Sequence, residues 1–237
     1  MKEKITPCLW YDGQAKEAAA LYCSAFSSTR VTSQSPIVTG LDVAGQSITL
    51  LDGGPMYRPN PSISFRYLCE SQDELDRALD TLGKEGRVLA PGWIVDKFGI
   101  AWQPGIGSGR KVTPNIIFNG NADEALRLYS QIFKTKELQY FTVSNDEEHS
   151  FPFTEGVSLT VHCENQEEVD YYWDRFTESG EESMCGWLKD KFGVSWQIIP
   201  VILTKIMSDP AKAGKAAKAF MSMRKLNIEQ IVQAVIH

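Results

Sequence analysis

Gly92-Trp-Ile-Val-Asp-Lys-Phe-Gly-Ile-Ala-Trp-Gln103 returns 94 residues later as Gly186-Trp-Leu-Lys-Asp-Lys-Phe-Gly-Val-Ser-Trp-Gln197. Eight of the twelve positions are identical, so the chain carries one unit twice. Each copy also has a mechanical reading. Asp and Gly bracket a tight turn, with Gly99 and Gly193 free to take positive φ. Beyond the turn, Ile100 and Trp102 alternate with Ala101 and Gln103 as a short strand does.

Two further pieces match. Ile5-Thr-Pro-Cys-Leu-Trp-Tyr11 followed by a helical run to Phe26 corresponds to Val112-Thr-Pro-Asn-Ile-Ile-Phe118 and a run to Phe133, at an offset of 107. Ser62–Asp76 corresponds to Gly156–Asp170 at an offset of 94. There an alternating strand ends in Cys-Glu and enters a helix through Ser71 or Asn165, both good N-caps with acids in the first turn. The offset falls from 107 to 94, so the second copy is 13 residues shorter. The missing material corresponds to residues near 30–60, which hold two β-rich runs in the first copy. This organises the chain as a module over 1–104, a linker over 105–111, a shorter module over 112–200 and a helical tail over 201–237. The Asp209-Pro210 pair interrupts the tail.

The motifs Thr-Pro-x-x-x-(Phe/Tyr)-x-Gly-x-Ala, Cys-Glu-x-Gln-(Asp/Glu)-Glu and Gly-Trp-x-x-Asp-Lys-Phe-Gly-x-x-Trp-Gln resemble the PhnB-like branch of the vicinal-oxygen-chelate, or glyoxalase/bleomycin-resistance, superfamily. That branch is also labelled 3-demethylubiquinone-9 3-methyltransferase-like. The resemblance covers residues 4–200 twice over, and the tail from Val201 is similar to the branch's C-terminal extension. It implies an α+β fold, two tandem βαβββ modules whose strands curl into a concave half-barrel sheet. It leaves function open, because the superfamily hosts dioxygenases, glyoxalases, epimerases and drug-binding proteins.

Composition narrows the classes. Hydrophobic residues make up 43% and charged residues 23% of the 237, a globular profile. A net charge of −6 argues against a nucleic-acid surface. The clustered Lys212, Lys215, Lys218, Arg224 and Lys225 read as a solvated helix face. No apolar run approaches the ~20 residues of a membrane span, and the N-terminus lacks a signal-peptide core. Five cysteines without a Cys-x-x-Cys spacing suggest free thiols and a cytoplasmic location.

Strand alternation assigns the two faces of the sheet. Pro7, Leu9, Tyr11, Ile63, Phe65, Tyr67, Cys69, Ile100 and Trp102 belong under the helices, with their counterparts in the second copy. The opposite face then carries Thr6, Cys8 and Trp10 with Asn115, Ser64 and Arg66 with Ser158, Thr160 and His162, and Gln103 with Gln197. This mostly small and polar lining suits a small polar ligand, and Arg66 favours an anionic group. A wet sheet face or a partner interface is the plain alternative. Trp10, unlike its counterpart Ile117, is the aromatic candidate for a single asymmetric pocket. Trp93, Trp187, Trp102 and Trp196 repeat, which argues for packing.

Metal-dependent relatives place His or Glu at inward positions of the first, middle and last strands. The corresponding last-strand residues here are Gln103 and Gln197, and Arg66 adds a positive charge, so no metal and no cofactor is expected. Gly105-Ile-Gly-Ser-Gly109 resembles a methyl-donor or dinucleotide loop but leads to a strand, so it reads as a linker. Cys185 reads as a turn or packed cysteine rather than a nucleophile, since its counterpart is Pro91 and no base is identifiable. His162 is the histidine that the pattern puts on the polar face. His149 falls in an acidic loop and His237 is terminal.

The expectation is a cytoplasmic, metal-free protein binding a small polar or anionic molecule, with neither nucleic acid nor membrane as partner. One alternative is a metal-dependent lyase, isomerase or dioxygenase of the superfamily type. Another is a homo-oligomeric interaction module, such as a homodimer formed through an edge that the shortened copy leaves exposed.

Overall fold

The computed structural model describes residues 3–109, 111–135, 138–149 and 151–236. Arg110 of the expected linker and the terminal His237 lie outside them. The first repeat opens with β1 (Ile5–Tyr11), α1 (Ala15–Ala25) and the meander β2 (Thr29–Gln34), β3 (Val38–Val43) and β4 (Gln46–Asp52). β4 returns parallel to β1, with Cys8 beside Thr49, and β3 and β2 add antiparallel beyond it. The same pattern follows at once: β5 (Ile63–Cys69), α2 (Gln72–Gly83), β6 (Arg87–Ala90), β7 (Trp93–Val95) and β8 (Ala101–Ile106). Here β8 runs parallel to β5, with β7 and β6 antiparallel beyond it. The first repeat therefore holds two βαβββ units. The strands β6 and β7 are only four and three residues long, too short for alternation to register in the sequence.

The second repeat starts with a reduced unit: β9 (Val112–Phe118), α3 (Ala122–Ile132) and β10 (Thr142–Asn145), with β10 parallel to β9. The shortfall read in the sequence falls here, where one strand stands in place of three. β8 continues two residues past Pro104, so Gly105 and Ile106 pair with Leu68 and Cys69. These elements lie in one compact unit, Thr6–Val157.

Within that unit the strands divide between two sheets. One contains β1-β4-β3-β2 in that order, the other is β10-β9-β5-β8-β7-β6. The division arises because β9 lies antiparallel beside β5, with Ser64 opposite Asn115 and Arg66 opposite Thr113. The polar positions read as one surface are thus spread over separate sheets.

The helix-covered face is the apolar one, as alternation predicts. Trp102 is fully buried, with ring centroids 4.5 Å from Phe26 and 5.1 Å from both Tyr22 and Phe65. Each such side chain contributes roughly 1.5–3 kcal/mol by leaving water. Cys69 and Cys163 are each buried, and burial pushes their thiols up to about 11 and about 12. The caps are also as read. Ser71 accepts from the Glu74 amide at 3.2 Å and Asn165 from the Glu168 amide at 2.9 Å. Glu74 and Glu168 in turn accept from the amides of Glu70 and Glu164, a capping-box-like reciprocity.

The second unit runs from Ser158 onward and includes the segment ending at Ile5. β11 (Val157–Cys163), α4 (Gln166–Thr177), β12 (Glu181–Glu182), β13 (Trp187–Lys189) and β14 (Ser195–Pro200) repeat the βαβββ pattern, with β14 parallel to β11. Phe176 of α4 stacks on Trp196 at 4.6 Å. The tail forms α5 (Val201–Met207), α6 (Pro210–Phe220) and α7 (Ile228–Ile236). Its core is Leu203, Ile206, Ala216, Leu226 and Ile231, against which Ile199 of β14 packs. Gln166 anchors it, donating to the Leu226 carbonyl and accepting from the Ile228 amide. The interruption at Asp209-Pro210 is the start of α6, where Asp209 caps the Ala211 amide and proline occupies the first turn. Lys212, Arg224 and Lys225 pair with Asp209, Glu182 and Asp174, a solvated arrangement.

Candidate functional site

The repeated twelve-residue stretch is a structural clamp. Asp96 Oδ1 accepts from the amides of Phe98 at 2.9 Å and Ile100 at 3.1 Å, which fixes the turn. Its Oδ2 accepts from the Tyr22 hydroxyl at 2.8 Å and from Trp102 Nε1 at 3.0 Å. Asp190 does the same for Phe192, Val194 and Trp196. Burial pushes the Asp96 carboxyl above the ordinary carboxylate range, although its four donors pull the other way. Gly99 and Gly193 take φ of 92° and 86°, as the turn requires. The sequence gives the turn but not the bond from the turn's aspartate to the buried indole.

A second repeated pair lies on the opposite face. Gln103 Nε2 donates to Ser64 Oγ at 2.9 Å, and Gln197 Nε2 donates to Ser158 Oγ at the same distance. These four predicted site residues therefore meet as two equivalent pairs. Around each pair the copies differ: Arg66 corresponds to Thr160, Val95 to Lys189 and Ala101 to Ser195.

On the six-stranded sheet, Ser64, Arg66, Gln103 and Asn115 are brought together. Arg66 lies beside Gln103 on β8 and Thr113 on β9. Asn115 donates to Ser144 and accepts from Thr142, both on β10, at 2.9 Å. Ile94 faces Trp102 across β7 and β8, so its neighbour Trp93 falls on the polar face, level with Gln103. Trp93 is half-buried, and its ring lies 5.7 Å from that of His149, on the segment after β10. His149 is held by Asp146, which also accepts from the Glu148 and His149 amides. The floor is closed: Ser64 and Ala101 are buried. Arg66 is exposed, and no described residue makes a hydrogen bond or ion pair with its side chain. The nearby Lys111, by contrast, is paired with Glu70.

The remaining predicted residues lie elsewhere. Thr6, Cys8 and Trp10 are on β1, with Thr6 and Cys8 buried. The Trp10 indole packs over Gly53 and edge-on to Tyr57 at 5.0 Å, and Nε1 donates to the Gly54 carbonyl at 2.7 Å. A side chain at Gly53 would collide with that ring. In the second unit, Ser158, Thr160 and Gln197 are buried and His162 is half-buried, all on β11 and β14. Ser195, two residues before Gln197 on β14, is buried with an Oγ that has no hydrogen-bond partner among the described residues. Alternation did not single out Trp93, His149 or Lys189. Trp93 and Lys189 become visible only once β7 and β13 are given a register. Cys185 sits at φ 60° with its thiol toward the Met221 carbonyl, and burial raises its thiol, the wrong direction for a nucleophile.

Neither polar face fits a divalent transition metal. Both last-strand positions are neutral amides already turned toward serines, and no group of three or more His, Cys, Asp or Glu among the described residues is close enough to hold an ion. A surface groove of about 440 Å³ lies between α1 and α2, away from these faces, lined by Leu21, Ser24, Leu82 and Lys97 among others. Lys97 is bridged there by Glu17 and Glu85.

Parallel strands joined through a helix, repeated along the chain with antiparallel strands beyond, define the glyoxalase/bleomycin-resistance class of α+β folds. The chain belongs to the family described as 3-demethylubiquinone-9 3-methyltransferase, whose model matches residues 3–104 and 139–199. Among solved structures, it is similar to the PhnB protein of Bacillus cereus at 25% identity, covering 44% of this chain and 100% of that one, with a TM-score of 0.41. The CppA protein of Streptococcus pneumoniae is similar over 84% of this chain and 98% of its own, at 10% identity and a TM-score of 0.50. A Pseudomonas aeruginosa protein matches at 20% identity over 43% of this chain and 96% of its own, with a TM-score of 0.37. No curated protein matches the chain. The family's descriptive name implies a methyl donor, but the glycine-rich stretch does not fit one. Gly105 and Ile106 belong to β8, and the chain passes on to β9 without the helix N-terminus that would hold an anionic cofactor.

Proposed function

We propose that the polar face of the six-stranded sheet binds a small anionic molecule without a metal, with Arg66 as its anchor. The observation that carries this reading is the unpaired guanidinium. Arg66 projects from a central strand of the sheet, between Gln103 and Thr113, and no carboxylate among the described residues neutralises it. A guanidinium offers a planar fork of donors suited to carboxylate or phosphate. Gln103 spends Nε2 on Ser64, which leaves its carbonyl for a ligand hydroxyl or amide. Titration calorimetry with acetate and inorganic phosphate, on wild type and Arg66→Gln, tests the proposal. Measurable binding that falls at least tenfold in the variant supports it; binding indifferent to Arg66 overturns it.

The free state of all five cysteines supports a reducing, cytoplasmic setting, and no described helix is long and apolar enough to cross a membrane. A second reading, a homodimer, is favoured by one observation. β10 ends the six-stranded sheet, whereas its counterpart β4 is covered by β3 and β2. Sedimentation over a hundredfold range of concentration would show a dimer, and a constant monomer mass would exclude it.

A further inference from the structure

The anchor does not stand alone on its face. Trp93, Gln103, Arg66 and Thr113 lie side by side on β7, β8, β5 and β9. Adjacent strands are about 4.8 Å apart, so Trp93 and Arg66 are separated by about 10 Å across one intervening strand. Between them the surface is Gln103, a flat amide pinned to Ser64, over the small side chains of Ser64 and Ala101. The indole at the far end of this row is half-buried, unlike the fully buried Trp102 nine residues later. His149, on the segment after β10, meets this indole with ring centroids 5.7 Å apart. Asp146, the carboxylate that holds His149, is engaged by that ring and by two backbone amides. The row thus presents a cation at one end, an aromatic wall at the other and a flat floor between.

Resting on the anion-binding reading above, we infer that the ligand class is an aryl carboxylate, its carboxylate on Arg66 and its ring against Trp93. The guanidinium supplies two parallel donors to the carboxylate, and the indole face or edge meets the ring in an offset or T-shaped arrangement. Gln103 lies under the linking atoms. An aliphatic acid of the same size would satisfy Arg66 but lose the ring contact, and a bare anion would lose the wall altogether.

Phenylacetate, cyclohexaneacetate and acetate separate these contributions. Calorimetry on wild type, Arg66→Gln, Trp93→Ala and Trp93→Leu is read alongside the indole Nε1–H resonance of Trp93, assigned from a Trp93 variant. Phenylacetate is expected to bind at least tenfold tighter than acetate and severalfold tighter than cyclohexaneacetate, with a shift of the Trp93 resonance. Both Trp93 variants should remove that advantage and leave acetate binding unchanged, while Arg66→Gln weakens all three acids. Trp93→Leu keeps apolar bulk, so it separates loss of the ring from loss of packing if Trp93→Ala unfolds. Equal affinity for the three acids, still dependent on Arg66, overturns the aryl inference and leaves the anion reading standing. Insensitivity of all three to Arg66→Gln overturns both.

Discussion

Replacing Asp96 by asparagine changes one atom of a buried carboxylate and tests the clamp directly. Asparagine keeps an oxygen for the amides of Phe98 and Ile100, but an NH2 now takes the place of Oδ2. Tyr22 can rotate to accept from it, since its hydroxyl lies 3.0 Å from that of Tyr11 and can donate there. Trp102 Nε1 can only donate, so two donors face each other at 3.0 Å in a fully buried site. An unsatisfied buried donor costs about 1–3 kcal/mol, and weakening the remaining charge-assisted bonds costs about 1 kcal/mol more. Relief from burying a charge offsets part of this, for a net loss of about 2–3 kcal/mol. Asp96→Ala orphans the amides of Phe98 and Ile100 and the Trp102 indole, while Tyr22 can turn to Tyr11, and should lose about 4 kcal/mol or more. In urea unfolding followed by circular dichroism, the asparagine variant should lower the midpoint by about 1–1.5 M at an m-value of about 2 kcal/mol/M. The Asp96 carboxyl is held above its ordinary value by burial, so the folded state binds the proton more tightly than the unfolded chain. Its contribution is therefore fully present below the unfolded pKa and lost as pH rises through the folded one. The deficit of Asp96→Asn should accordingly be larger at acid pH than at neutral pH. A variant within about 0.5 kcal/mol of wild type would refute the assignment of Asp96 as acceptor for the buried indole, and a deficit that grows toward neutral pH would refute the upward shift of its carboxyl.

Gly99→Ala and Gly193→Ala place a side chain at the same positive φ, but only at Gly99 would the added Cβ meet backbone, the Pro59 carbonyl at 2.8 Å. Both should lose about 1–2 kcal/mol to strain, with Gly99→Ala the worse by about 1 kcal/mol or more, measured by chemical denaturation. Ser195→Ala removes the unpartnered hydroxyl and should raise stability by about 1 kcal/mol, read as a higher thermal midpoint; a lower midpoint would mean that Ser195 Oγ has a partner in solution.

The fold was legible because its largest signals are local and repeated. Alternation in β5 and β11 placed Phe65 and Leu159 on the buried face, and Ser71 and Asn165 announced their helices. Strands of two to four residues carried no such signal, which hid β6, β7, β12 and β13 and with them the second βαβββ unit of the first repeat. The site was legible in part. Periodicity put Arg66, Gln103, Ser64 and Asn115 on one face but could not say that β9 pairs with β5, a contact between distant segments that divides the polar positions among sheets. Trp93 read as packing because it repeats, yet repetition reports only the shared frame. Its exposure depends on the register of β7. Trp10 read as a ligand-facing aromatic because it does not repeat, and its indole is bonded by its own loop at Gly54.

The Gln–Ser pair recurs in both copies while its surroundings do not, with Arg66 against Thr160 and Ala101 against Ser195. In an assembly of two identical chains, any change to such a lining appears at both positions at once, so a substitution useful in one place is imposed on the other. A tandem chain lifts that symmetry. Its two linings can drift apart, one gaining a charge and the other a hydroxyl, while the shared clamp and caps keep both halves foldable.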